Sequence, residues 1–122
     1  IDAWKKFKRN KTAESLSAVE LCKQHPGKMW LKSHGFIKPF FPGKKNKQPF
    51  YNLQFKSLPK ILVQNASLEI SKIGVLKLYK SITGKKIIPY FTKDIEGFDI
   101  NDQYDLKLAN YLAKKNKIKI KK

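Results

Sequence analysis

Apolar and polar residues recur along this chain with two different periods, and the change of period marks out its elements. Residues 2–9 carry Trp4 and Phe7 three apart among lysines, which predicts an amphipathic helix laying one narrow stripe on a core. In residues 15–22 the apolar positions are Leu16, Ala18 or Val19, and Leu21, the alternation of a strand, although so short a run also fits a helix. Pro26 and Gly27 then punctuate the chain. Residues 61–70 give the strongest strand signal, interrupted by the polar stretch Gln64-Asn65-Ala66-Ser67, whose groups either satisfy nearby backbone or face a site. The spacing of Ile73, Leu76 and Tyr79 predicts a short helix stopped by Gly84. Ile87–Phe91 reads as a further strand, placed at an edge or a strand end because Pro89 has no N–H to give. Strand, helix and strand in that order predict an α/β sheet with crossover helices.

Two segments depart from this rhythm. From residue 28 to residue 55, Met29, Trp30, Leu31, Phe36, Ile37, Phe40, Phe41, Phe50, Tyr51 and Phe55 are interleaved with Lys, Pro and Gly, which predicts short strands and loops with a hairpin turn near residues 33–35. Such a surface suits either base stacking or, more simply, a hydrophobic core or subunit interface. The closing segment is the clearest helix: Tyr104, Leu108, Tyr111 and Leu112 form its stripe, and Lys114 and Lys115 complement its C-terminal end. Asn101 is its expected N-cap, and Asp102 and Asp105 sit where the helix dipole favours anions.

Charge complicates the picture. Among 122 residues there are 27 Lys and Arg against 9 Asp and Glu, a formal net charge of +18. That balance fits a nucleic-acid-binding protein, yet all but Arg9 are Lys, and Arg rather than Lys supplies the bidentate fork for base edges. A Lys-rich solvated surface in a chain biased toward Lys, Ile and Asn accounts for it equally well. Against this background residues 96–105 hold Glu96, Asp99, Asp102 and Asp105, a local reversal of sign suited to a hard cation with oxygen ligands. Asp99 precedes the last helix at a strand-to-helix junction, where open α/β sheets bind ligands. The single Cys22 excludes an internal disulfide and reads as a structural thiol in a reducing compartment, and with His25 and His34 it makes no zinc set. No apolar run is long enough to span a membrane. The chain begins without Met, as a piece of a longer protein would.

In their order, Leu16-Ser17-Ala18-Val19, His25-Pro26-Gly27-Lys28-Met29-Trp30, Gln64 to Ile70 and Glu96-Gly97-Phe98-Asp99-Ile100-Asn101 resemble the C-terminal half of the acylneuraminate cytidylyltransferases. The resemblance spans about residues 2–115 and rests on the ordered set rather than on one motif. It implies a Rossmann-like, three-layer nucleotide-sugar transferase domain, of which residues 1–115 are the C-terminal portion, with a β-rich dimerisation excursion at about 28–57 and a Lys-rich tail at 116–122. It implies a cytoplasmic homodimer that transfers CMP from CTP to the anomeric hydroxyl of an acidic nine-carbon sugar and releases pyrophosphate with Mg²⁺. Asp99 falls on the first of the family's two metal-holding carboxylates, and Asn101 stands where the second often lies. Asn65, and after it Ser67, match substrate-binding positions; Lys28 reads first as an ordinary surface Lys and second as an anion-binding group across the dimer. The family's Gly-rich nucleotide loop has no counterpart here, so the isolated chain is expected not to turn over CTP. The alternative remains a Lys-rich nucleic-acid-binding protein.

Overall fold

In the computed structural model, which describes residues 2–115, the elements run α1 (Asp2–Arg9), β1 (Ser15–Leu21), β2 (Trp30–Ser33), β3 (Phe36–Pro39), β4 (Leu62–Ser71), α2 (Ile73–Tyr79), β5 (Ile87–Phe91) and α3 (Gln103–Lys114). Short 3₁₀ turns lie at Pro26–Lys28, Phe50–Asn52 and Phe55–Ser57. The described residues thus form a mixed α/β structure with one three-stranded sheet, one hairpin and three helices. They divide into two compact units, one of Leu21–Val63 and one of the residues on either side of it. The expected tail at 116–122 lies outside the described residues.

In the larger unit the sheet order is β4-β1-β5, and β1 pairs in parallel with β5 from Ser15 opposite Ile87 to Val19 opposite Phe91. The central place of β1 follows from its side chains: Ser15, Leu16, Ser17, Ala18 and Val19 are all buried, and their small volumes allow cover on both faces. Pro89 sits in β5, an edge strand, as its missing N–H requires, and its carbonyl accepts from Lys6 Nζ at 2.6 Å. Leu16 meets Ala3, Phe7 and Ala13 in the core, with Ile70, Ile88 and Tyr90 packed against them. Full burial of Phe7 or Leu16 contributes about 2 kcal/mol each.

Three sequence expectations change here. The buried stripe of α1 is Ala3 and Phe7, whereas Trp4 is 53% exposed, because positions four apart share a helix face more closely than positions three apart. Helix α2 ends at Lys80, which takes the left-handed conformation (φ 51°), and not at Gly84. Gly84 is instead buried against Glu14: a Cβ there would come within 2.5 Å of the Glu14 Cβ. Finally, the apolar stripe of α3 is not sunk in a core, since no described residue of that helix is buried and Tyr104 and Tyr111 are 79% and 55% exposed.

The contact at Gly84 is one side of a latch. Glu14 Oε2 accepts from the Lys86 N–H at 3.1 Å and the Lys85 N–H at 2.5 Å, and the buried Ser15 hydroxyl accepts from the Gly84 N–H. The Lys86 N–H, then that of Lys85, hold the Glu14 carboxyl below its usual range; partial desolvation opposes them and the two ammonium charges assist. A carboxyl lowered in the folded state stabilises fully above its unfolded value, and that contribution disappears as pH falls through the folded value. Glu14→Gln should therefore be less stable than the parent at pH 7, with the gap closing below the ordinary Glu range of about 4.3. Denaturant midpoints measured from pH 7 down to about 3 check this; a gap independent of pH would contradict the latch.

Leu21–Val63 is organised by His25. Its Nδ1 accepts from the Gly27 N–H at 2.9 Å, which leaves the ring proton on Nε2 to be donated to the Pro59 carbonyl at 3.0 Å. Phe50 and Phe55 stand edge-on to the buried ring. The hairpin β2–β3 pairs Ser33 with Phe36 around a two-residue turn, with φ 46° at His34 and 82° at Gly35. Positive φ at both positions is the geometry that matches the twist of the strands. Cys22 is free and half-buried, its thiol 3.1 Å from the Gln24 carbonyl.

Candidate functional site

The parallel pairing of β1 and β5 aligns their carboxyl ends, the side of an α/β sheet where ligands bind. Thr92 follows directly on β5, and its N–H donates to the Val19 carbonyl at 3.1 Å. The Thr92 hydroxyl lies 3.4 Å from the same carbonyl and has its only hydrogen to donate there. A lone pair therefore faces Asn65, whose Nδ2 donates to Thr92 Oγ1 at 2.8 Å. That fixes the amide the other way round as well: Asn65 Oδ1 accepts from Ser67 Oγ at 2.8 Å.

Asn65 and Ser67 share one face of β4 because side chains in a strand alternate with period two. Asn65 is half-buried and Ser67 exposed. With one N–H given to Thr92 and one lone pair taken by Ser67, the Asn65 amide keeps one donor and one acceptor for a ligand. Hydroxyl and amide groups, which both donate and accept, match such a pair; a carboxylate matches its donor alone.

The chain then folds back on this amide. After Thr92, the Lys93 carbonyl accepts from the Glu96 N–H at 2.9 Å, and the Ile95 carbonyl accepts from the Phe98 N–H at 3.0 Å. Glu96 closes the first turn, its carboxylate accepting from the Lys93 N–H at 2.8 Å. These turns carry Gly97 against Asn65 so closely that a Cβ would overlap the Asn65 amide and stand 3.1 Å from Thr92 Oγ1. Gly97 is thus a close-approach glycine, and Asp99 follows two residues later.

Of the sequence candidates, Asn65 and Ser67 are brought together directly. Asp99 is exposed, with Oδ1 accepting from the Ile100 N–H at 2.9 Å and Oδ2 free of hydrogen bonds among the described residues. Asn101 is also exposed; its backbone N–H donates to Asp105 Oδ2 at 3.0 Å. No hydrogen bond among the described residues joins either of them to Asn65. The N-cap of α3 is Asp102 and not Asn101: Asp102 Oδ1 accepts from Tyr104 and Asp105, and Asp105 returns the bond in a capping box. Asp's ionised side chain accepts these N–H groups in a field that favours an anion, so it wins the position over its neutral neighbour. Asp102 and Asp105 are helix-start groups. Lys28 Nζ, for its part, donates to the carbonyls of Tyr51 and Leu53 at 2.8 and 2.6 Å.

Among the described residues no three His, Cys, Asp or Glu side chains gather as a metal cage. Asp99 keeps one carboxylate oxygen free of hydrogen bonds among the described residues, and Mg²⁺ held mainly by water and substrate phosphates takes as few as one or two protein carboxylates. Sequence reasoning missed Thr92 and the role of Gly97. The signal was available only for Gly97, as a glycine inside a chemistry-bearing run. No protein-family model matches the chain, and no curated protein matches it.

Proposed function

We propose that this chain is the sugar-side and metal-side portion of a cytidylyltransferase of the acylneuraminate type, a cytoplasmic enzyme with a Rossmann-like, three-layer fold. The observation that carries the reading is the meeting of Asn65, Ser67, Thr92 and Gly97 at the carboxyl ends of β1 and β5, with Asp99 two residues beyond. In the reaction the sugar's anomeric hydroxyl oxygen bonds to the α-phosphorus of CTP. The bond from that phosphorus to the bridging oxygen breaks, pyrophosphate leaves, and the hydroxyl proton is released.

Asn65, oriented by Thr92, offers its remaining donor and acceptor to the sugar and holds the hydroxyl in line. Asp99 and Asn101 would hold Mg²⁺, which would supply charge neutralisation for the phosphoryl and leaving oxygens. Exposed Phe36 and Ile37 on the hairpin, at 79% and 62%, support self-association of Leu21–Val63 into a homodimer.

The test is pyrophosphate release from CTP and N-acetylneuraminate or a related nonulosonic acid, with Mg²⁺, by the gene product that contains this chain. Asp99→Ala should lower turnover by about 100-fold or more. In the 122-residue chain itself, Mn²⁺ used as a paramagnetic probe should broaden the NMR signals of Asp99 and Asn101 before those of Asp94. Equal broadening at every exposed carboxylate, together with no sugar-dependent pyrophosphate, would sink the proposal.

A second reading has one observation in its favour. Lys5, Lys6, Arg9 and Lys11 line an open cleft of about 750 Å³ along α1, with Asp2 as its only carboxylate. As a nucleic-acid surface it would lose oligonucleotide affinity steeply with rising salt.

A further inference from the structure

Leu21–Val63 contains a cavity that the proposed reaction does not use. Residues 21–63 hold nine Lys and neither Asp nor Glu, so an anion approaching this unit meets no local carboxylate. Within it lies an open cavity of about 490 Å³ with Phe50, Leu53, Leu58 and Pro59 as its apolar lining, Gln48 and Ser57 as neutral polar groups, and Lys44 and Lys47 as its cations. The volume falls in the range of small-molecule sites, about 300–1,000 Å³, and mostly apolar walls with a few placed polar groups are their usual make-up.

The cations are positioned by a built loop. The Lys47 N–H donates to the Lys44 carbonyl at 3.3 Å, closing a turn in which Asn46 takes φ 63°, a left-handed conformation that Asn adopts more readily than most residues. Both lysines therefore bracket a single turn. The loop is closed at its base by the Phe50 N–H donating to the Pro42 carbonyl at 2.9 Å. The Phe50 ring lies over Gly43, where φ is 97° and a Cβ would stand 2.7 Å from Cδ1. The contact that fixes Phe50 in the wall thus also fixes the loop carrying the two ammonium groups. Leu58 is buried, at 8% exposure, and anchors the apolar side.

An apolar wall takes up a hydrocarbon or aromatic body, and two ammonium groups beside it, with no carboxylate in the unit, favour an anionic head. We propose that this cavity binds a small amphipathic anion: an aromatic or aliphatic body carrying one carboxylate, sulfonate or phosphate. All of its lining residues belong to Leu21–Val63, and Asn65 and Asp99 do not.

The test uses the full chain with two fluorescent probes of like aromatic body, anilinonaphthalene sulfonate and the neutral N-phenylnaphthylamine. The sulfonate should saturate one site and be displaced by decanoate. The double variant Lys44→Gln/Lys47→Gln, both exposed positions, should weaken the sulfonate about tenfold and leave the neutral probe unchanged. Leu53→Gln should weaken both probes. Sulfonate binding that is unaltered by the double variant, or no stronger than that of the neutral probe in the parent, would overturn the proposal.

Discussion

Gly97→Ala is expected to keep the fold within about 1 kcal/mol of the parent while displacing the Asn65 amide from Thr92. The added methyl overlaps the end of the Asn65 side chain, and that end can swing away without moving backbone. Relief is therefore cheap for stability and costly for the site. Once the amide turns, its bond to Thr92 is lost, and so is the fixed sense of its donor and acceptor. In the enzyme proposed above, misplacing a positioning group by about 1 Å costs on the order of 100-fold in turnover. The displacement is readable without any reaction: the Asn65 side-chain amide signals in an NMR spectrum should shift and lose protection from exchange. Thr92→Val should produce the same change, and Thr92→Ser should restore the parent spectrum. An unchanged Asn65 amide in Gly97→Ala would refute the close approach.

His25→Leu is expected to have the largest effect on stability, about 2 kcal/mol. Leucine fills most of the volume but accepts nothing from the Gly27 N–H and gives nothing to the Pro59 carbonyl. The buried Gly27 N–H left without a partner costs about 1–3 kcal/mol, whereas the carbonyl of the exposed Pro59 can turn to water; the Gly27 loss outweighs what the leucine gains in apolar burial. Urea denaturation of the full chain gives the loss, and faster amide exchange at Gly27 locates it. His34→Asn is the control: His34 is exposed in the hairpin turn at φ 46°, a conformation Asn tolerates, so its effect should stay within about 0.5 kcal/mol. A loss in His25→Leu no larger than in that control would show that the ring does not hold the unit together.

Residues 73–79 and 87–91 could be assigned from the chain alone because their apolar spacing agrees with the elements formed. The hairpin turn was equally legible, since Gly35 supplies a positive φ at a place where two apolar runs meet. Asn65 and Ser67 stood out as polar residues inside a strand, and their common face follows from the period of two. What spacing could not give was their partner. Thr92 lies 27 residues from Asn65, and an ordinary Thr after a strand carries no local mark of a role.

The same limit explains the misplaced ends of elements. Asn101 and Asp102 are both good caps by composition, and the choice fell to Asp102 only when the Asp105 carboxylate folded back to accept the Asp102 N–H. Gly84 looked like a helix stop because glycine is permissive, yet its smallness was needed for Glu14, 70 residues earlier. Period, punctuation and charge are local quantities, so most elements, the aromatic cationic stretch and the acidic segment are legible along the chain. The closeness of Gly97 to Asn65, the tautomer of His25 and the cavity beside Lys44 and Lys47 depend on distances between residues remote in the chain. Those are set by folding, because a hydrogen bond or a van der Waals overlap exists only once the backbone has brought its two sides together.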